Sequence, residues 1–242
     1  MKKIDVCFSP MLYNNYVDGS ENNTVVIVVD VFRATTSMCA AINNGARSIV
    51  PVRTPEEAFA YKQKGFLVGG ESNMQVFDFG DFGNSPSDYI KEKVKDRDIV
   101  ISTTNGTRAI DEARESYSLV IGSFSNISTV VRYCVSQKKD VLVLCAGWKD
   151  KFNFEDSLFG GAMVEKLMNE GFNASFDAAQ VALGMWQEAK PDIMTYVQRS
   201  EHFKRLEAHG LLDVAEYCLT SDTTDVLPLY NRDTKSIVNS IL

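Results

Sequence analysis

The chain has 242 residues, of which 45% are hydrophobic and 24% charged, and its formal net charge is −7. That length accommodates one large α/β domain or two small ones around a sizeable core. The acidic balance, with a pI of about 5.0, argues against a nucleic-acid partner held by a general basic surface, but does not forbid a small anionic substrate.

The first residues, Met1-Lys2-Lys3-Ile4-Asp5-Val6, lack a secretory apolar region. No apolar run approaches the roughly 18–20 residues of a membrane span, so no membrane partner is expected. Strand-length apolar runs follow at Val25–Val29, Ser48–Val52, Phe66–Gly69, Ile99–Ile101, Leu119–Gly122 and Val141–Cys145. Most are continuous Val/Ile/Leu, the pattern of strands covered on both faces. Helical patterns fall between them. Thr54-Pro55-Glu56-Glu57 is a capping box with Pro at the first helical position. Ser85-Pro86-Ser87-Asp88 opens another helix in the same way, and Asn126 caps one running through Tyr133. Glu155 to Met168 repeats apolar residues at helical spacing and stops near Gly171. Helical patterns continue to about Cys218, and Val226–Tyr230 reads as an added edge strand.

This alternation predicts a three-layer α/β/α sandwich with a largely parallel or mixed sheet and a helix-rich C-terminal part. One unit over residues 1–242 is the first reading, with 172–242 as a sub-lobe the second. The five scattered cysteines (Cys7, Cys39, Cys134, Cys145, Cys218) form no C-x-x-C pair, so reduced thiols in the cytoplasm are expected.

Ligands of open α/β sheets bind beyond the carboxyl ends of the strands, which turns those ends into a candidate list. Asp30 and Arg33 follow the first run. The Asp30 carboxylate reads as a Mg²⁺ ligand or acid–base group, or else as a helix N-cap or an ion pair with Arg33. An aspartyl nucleophile of the haloacid dehalogenase type needs a second Asp two residues on, where this chain has Phe32. Glu71 follows Gly69-Gly70, and Asn84 and Ser85 can present donors beside a helix start. Ser102-Thr103-Thr104-Asn105-Gly106-Thr107 delivers a strand to a helix N-terminus, either as a cradle for a tetrahedral oxyanion or as an ordinary cap. Cys145-Ala146-Gly147 ends another strand and leads to Glu155-Asp156. Of these adjacent acids one is expected at a metal, the other capping the helix or facing water. Cys145 reads as core, with no histidine near it in sequence. The two histidines, His202 and His209, lie in the helical C-terminal part, so a His-based triad or zinc site is not indicated. Neither a Walker pattern nor Gly-x-Gly-x-x-Gly occurs.

Taken in order, Ile27-Val28-Val29-Asp30-Val31-Phe32-Arg33-Ala34-Thr35-Thr36, Gly69-Gly70-Glu71, Phe82-Gly83-Asn84-Ser85-Pro86, Thr103-Thr104-Asn105-Gly106-Thr107, Cys145-Ala146-Gly147, Glu155-Asp156, Cys218 with Asp222, and Asp225-Val226-Leu227-Pro228 resemble the 2-phosphosulfolactate phosphatase family over nearly the whole chain. Glu71-Ser72-Asn73-Met74 departs from the family pattern in carrying no arginine. The resemblance implies Mg²⁺-dependent hydrolysis of (2R)-2-phospho-3-sulfolactate to 3-sulfolactate and phosphate, a step of coenzyme M biosynthesis. Mg²⁺ is then expected on Asp30, Glu71 and Asp156, with catalytic roles for Asp30, Arg33 and Asn105. Arg33 would neutralise a second oxyanion, and Asn84, Ser85, Thr103, Thr104, Gly106, Thr107, Cys145 and Gly147 would contact substrate. The expected partner is a small molecule with phosphate and sulfonate groups; a homodimer is left open. Readings of another class are a non-catalytic module binding such a metabolite, a phosphatase of another small phospho-acid, and a metal-dependent lyase or isomerase.

Overall fold

A computed structural model describes the chain except residues 18, 20–22, 73–74, 175 and 241–242. Asn73 and Met74, in the segment without arginine, therefore lie outside the described residues. The β-branched runs form the strands expected of them, with small changes at the ends. These are β1 Ile4–Cys7, β2 Thr24–Val29, β3 Ser48–Val52, β4 Leu67–Ser72, β5 Gln75–Val76, β6 Asp98–Ser102, β7 Ser118–Gly122, β8 Asp140–Cys145, β9 Pro228–Asn231 and β10 Ser236–Asn239. Their order in the sheet is β1-β8-β2-β7-β9-β10-β3-β6-β4-β5. Two parallel blocks, β1-β8-β2-β7 and β3-β6-β4, flank the β9–β10 hairpin, whose pairings are all antiparallel. The sheet is thus mixed, flanked by helices in the expected α/β sandwich.

Three local expectations are corrected. The C-terminal strand is no edge: β9 pairs with β7 through Val120 and Leu229, and β10 pairs with β3 through Ile237 and Ile49. Strand β1 was not foreseen, because Ile4-Asp5-Val6-Cys7 is too short and too broken by its acid to stand out. Ser85-Pro86 opens only a 3₁₀ turn, Pro86–Asp88, because the chain leaves helical dihedrals at Tyr89.

The helices that position the site are α2 (Ala34–Asn43), α5 (Gly106–Ala113), α7 (Phe154–Asn169) and α10 (Glu201–Ala208). Apolar side chains of α2 and α5 share one buried cluster with both blocks of the sheet, from Val26 and Leu144 on one side to Ile49 and Ile101 on the other. A second cluster, on the opposite face of the first block, packs α7 through Leu158, Phe159 and Met163 against Val6, Ile27 and Val143. The Thr54 capping box forms as expected, with the Thr54 hydroxyl accepting from the Glu57 amide.

The hairpin reverses chain direction three times between the blocks, so β2 and β6 are nominally antiparallel. Five neighbour steps separate them. A right-handed twist of roughly 20–25° per step turns the sheet by roughly 100–125° over that distance. Their carboxyl ends therefore swing toward one another across α2 and α5, and the site forms there. Among the described residues no helix is long and apolar enough to cross a membrane.

Candidate active site

Asp30, directly after β2, is the centre of the site and is only 8% exposed. Its backbone is fixed by Thr35, whose hydroxyl both accepts from the Asp30 amide and donates to the Asp30 carbonyl, each at 3.0 Å. Its carboxylate meets the first amides of two helices, Ala34 of α2 and Gly106 of α5. Gly106 has no side chain for a reason of space. A Cβ there would lie 3.0 Å from both Asp30 Oδ2 and Ala34 Cβ, closer than ordinary contact, so the carboxylate and α2 would have to shift by a few tenths of an ångström to admit it.

Glu155 and Asp156, in the first turn of α7, are both fully buried, so neither faces water as the sequence suggested for one of them. Asp156 Oδ1 accepts from Val31 N–H at 2.8 Å and Oδ2 from Gly147 N–H at 3.1 Å. With a further hydrogen bond from Asn153 Nδ2 to Oδ2 at 2.8 Å, it ties the ends of β2 and β8 together and does not line the pocket. Glu155 Oε1 accepts from Asn153 Nδ2 and from His202 Nδ1, the latter at 2.7 Å. Its Oε2 has no partner among the described residues. The His202 ring is also held edge-on by Phe32, with centroids 5.6 Å apart.

Three acids in so little space cannot all be ionised cheaply. Burial pushes Asp30 up from 3.8 to about 6. His202 and the Ala34 and Gly106 amides pull it down, and Glu155 pushes it further up. Burial, then the charges of Asp30 and Glu155, hold Asp156 well above the ordinary carboxylate range. A carboxyl that titrates near 6 can take and give a proton under ordinary conditions.

Arg33 does not pair with Asp30. Its Nη2 donates to both oxygens of Glu71 at 2.6 Å, and both side chains are largely buried. The pocket above Asp30 is lined by Asp30, Phe32, Glu71, Asn84, Thr103–Asn105, Trp148, Lys149, His202 and Arg205. The strand-end rule thus brings Asp30, Glu71, Asn84, Thr103, Thr104 and Asn105 to one cavity. Beneath it lie Gly106 and Thr107; the Thr107 amide is capped by the Thr103 hydroxyl at 3.3 Å. The α5 start is therefore partly a self-capped helix end, with Thr104 and Asn105 still open to the pocket. Ser85 faces a separate groove with Asn44 and Tyr217. Cys145 points into the core beside α7, where burial and the nearby Asp156 hold its thiol well above the ordinary range. Cys145→Ala should therefore keep most turnover at a cost of about 1 kcal/mol in stability. Loss of activity with an unchanged fold would mark it as a nucleophile.

Three lining residues, Trp148, Lys149 and Arg205, escaped the sequence reading, and a fourth, His202, entered it only to be set aside. Gly147 carried the only local signal for the first two. It and the next residues open a tight turn with φ of +62° at Gly147, +50° at Lys149 and +63° at Asp150, and a side chain on Gly147 would strike the Lys151 carbonyl. Trp148 and Lys151 close the turn with reciprocal backbone hydrogen bonds of 2.9 and 3.0 Å. His202 and Arg205 arrive on α10 from far along the chain.

Among the described residues no group of three or more His, Cys, Asp or Glu side chains is placed to hold a metal ion. The expected trio does not converge, because Glu71 is engaged by Arg33 and Asp156 by amides. What the pocket does offer a hard cation is the Asp30 carboxylate and Asn84 Oδ1, a buried oxygen without a partner among the described residues. Mg²⁺ is often held by one or two carboxylates with water and substrate phosphate completing its shell, so this smaller oxygen set fits it.

The family model for 2-phosphosulpholactate phosphatase matches residues 11–233. A protein of Thermotoga maritima is 38% identical over 202 residues, covering 84% of this chain and 87% of its own length. One from Caldanaerobacter subterraneus subsp. tengcongensis is 34% identical over 220 residues, 89% and 91% of the two chains. One from Clostridium beijerinckii is 30% identical over 233 residues, 94% and 96%. Each bears the name probable 2-phosphosulfolactate phosphatase. With strand-end segments, fold and full-length similarity in agreement, this chain belongs to the 2-phosphosulfolactate phosphatase family.

Proposed function

We propose that the chain is a cytoplasmic phosphate-monoester hydrolase, acting with Mg²⁺ on 2-phospho-3-sulfolactate to release 3-sulfolactate and phosphate in a coenzyme M type of pathway. The observation that carries the reading is the Asp30 carboxyl. It titrates near 6, sits where two helix N-termini meet, and opens on a pocket with Thr104, Asn105, Lys149 and Arg205. Thr104 and Asn105 at the α5 start suit a phosphoryl group, the two cations suit a further anionic group of the same substrate, and the carboxyl suits proton transfer to or from attacking water. When bound, Mg²⁺ on Asp30 and Asn84 would neutralise phosphoryl oxygens that the acidic floor otherwise repels.

Asp30 takes the proton of the water that attacks phosphorus through the oxygen it would not give to Mg²⁺, whose charge, when bound, would lower its pKa below the metal-free value. His202, oriented through Nδ1 by Glu155, turns Nε2 to the leaving alkoxide and, when both its nitrogens carry a proton, gives the Nε2 proton to it; the proton taken by Asp30 leaves to solvent and His202 regains one from solvent. Thr104 and Asn105, which stay open to the pocket at the α5 start, hold the transferring group. Arg33 keeps Glu71 in place rather than gripping the phosphate itself.

The test is phosphate release from a panel of small phospho-acids that includes 2-phospho-3-sulfolactate, with and without Mg²⁺. Release from that compound above all others is expected, with inorganic phosphate a competitive inhibitor. Thr104→Val should raise KM by roughly tenfold, the weight of one hydrogen bond to a charged group. Saturable binding without turnover would make the chain a binding module. Consumption without phosphate release would make it a lyase or isomerase.

A further inference from the structure

A substrate with a phosphoryl group at Asp30 and a second anionic group elsewhere needs a second cationic contact. Arg33 cannot supply it in this arrangement: its side chain is 5% exposed and committed to Glu71. The rim of the pocket holds two other cations on a single aromatic side chain. Lys149 Nζ lies 4.8 Å and Arg205 Cζ 4.7 Å from the Trp148 ring centroid. Among the described residues neither cation has a carboxylate partner. The acid next to Lys149, Asp150, is taken by Arg108 of α5.

The turn that carries Lys149 is anchored at three places, which makes the pair a built feature. Asp150 is tied to Arg108, Ser9 Oγ donates to the Asp150 carbonyl at 3.1 Å, and Lys149 N–H donates to Asn105 Oδ1 at 3.4 Å. Asn105 therefore joins the phosphoryl end of the pocket to the cationic rim. Arg205 also lines the adjoining chamber behind Trp148, with Phe152, Phe154 and Glu155. The indole thus gathers two unneutralised cations into the lining of the pocket that also holds the Asp30 and Glu71 carboxylates.

We infer that Lys149 and Arg205, arrayed on Trp148, bind the second anionic group of the substrate, a carboxylate or sulfonate, and so select polyanionic phosphate esters; as a specificity site this rests on the phosphatase reading above. A monoester with no second anion lacks the group they hold.

Two measurements test this. In the first, wild type, Lys149→Met, Arg205→Met and the double variant are assayed on 2-phospho-3-sulfolactate and on 4-nitrophenyl phosphate. The ratio of kcat/KM for the first ester over the second should fall by roughly 10- to 100-fold in Arg205→Met, the weight of one charge-assisted hydrogen bond, and further in the double variant. A ratio within about threefold of wild type in all variants would overturn the assignment. In the second, Trp186→Phe leaves Trp148 as the only indole, since the chain has two tryptophans. Titration with 3-sulfolactate should then change its fluorescence saturably, and adding Arg205→Met should weaken that binding by a similar factor. A flat titration would overturn the assignment even if phosphate is released from the simple ester. A saturable signal in a protein that hydrolyses neither ester would sink the phosphatase reading and keep the anion site.

Discussion

Asp30→Asn should abolish phosphate release and, in the same preparation, stabilise the protein above pH 6. In the native state burial raises this carboxyl from 3.8 to about 6, so between those values the folded chain holds a proton that the unfolded chain has lost. Stability from this group is therefore greatest below about pH 4, falls as pH rises toward 6, and stays at its low level beyond. The displacement corresponds to about 3 kcal/mol against the ionised wild type, or roughly 6–12 °C in Tm for a chain of this size. Asparagine keeps an oxygen for the Ala34 and Gly106 amides and carries no charge to bury. Melting curves at pH 4 and pH 8, both in EDTA, check the sign: the advantage should be present at pH 8 and vanish near pH 4. Equal curves at pH 8 would show that the ionised carboxylate is not costly there. Undiminished phosphate release would remove Asp30 from the chemistry. Lost phosphate release together with gained stability at pH 8 would make Asp30 a stability liability kept for function.

Arg33→Met should be among the most damaging single changes, costing about 3–5 kcal/mol because it strands the Glu71 carboxylate in a mostly buried place. Glu71→Met should cost a comparable amount by stranding the guanidinium. Replacing both with methionine should cost much less than the sum, since no buried charge is then left alone. Urea unfolding of the four proteins gives the coupling directly. Additive losses would mean that solvent reaches the pair freely. All three variants should lose phosphate release, because Glu71 lines the pocket and Arg33 holds it there. A surviving activity in Arg33→Met would show that Glu71 needs no such support.

The strands and the strand-end acids were legible in the sequence because their signals are local. Val25–Val29 is an unbroken β-branched run, and a carboxylate placed directly after it must find partners. Asn126 shows how far such local reading reaches. It does precede α6 (Ile127–Gln137), yet its side chain makes no cap. Its carboxamide instead accepts from Ser123 and donates to Ile121 and Val226, a tie 100 residues away that no spacing announces. The C-terminal strand misled for a related reason. A short apolar stretch at the end of a chain looks like an edge, whereas in the fold it closes the gap between two parallel blocks.

From sequence alone came the α/β class, the six main strands, the family, and the segment starts that meet at the pocket. These depend on periodicity, on turn and cap residues, and on the rule that strands expose their carboxyl ends. Tertiary structure alone decided which charges face one another. It gave Glu71 to Arg33 and Asp156 to the amides of Val31 and Gly147, paired Glu155 with His202, and brought Arg205 to the Lys149 turn. The physical reason is that a buried charge is satisfied by whatever donor the packing supplies. Here the twist of the sheet and the docking of α10 supply those donors, over sequence separations that leave no pattern in the chain.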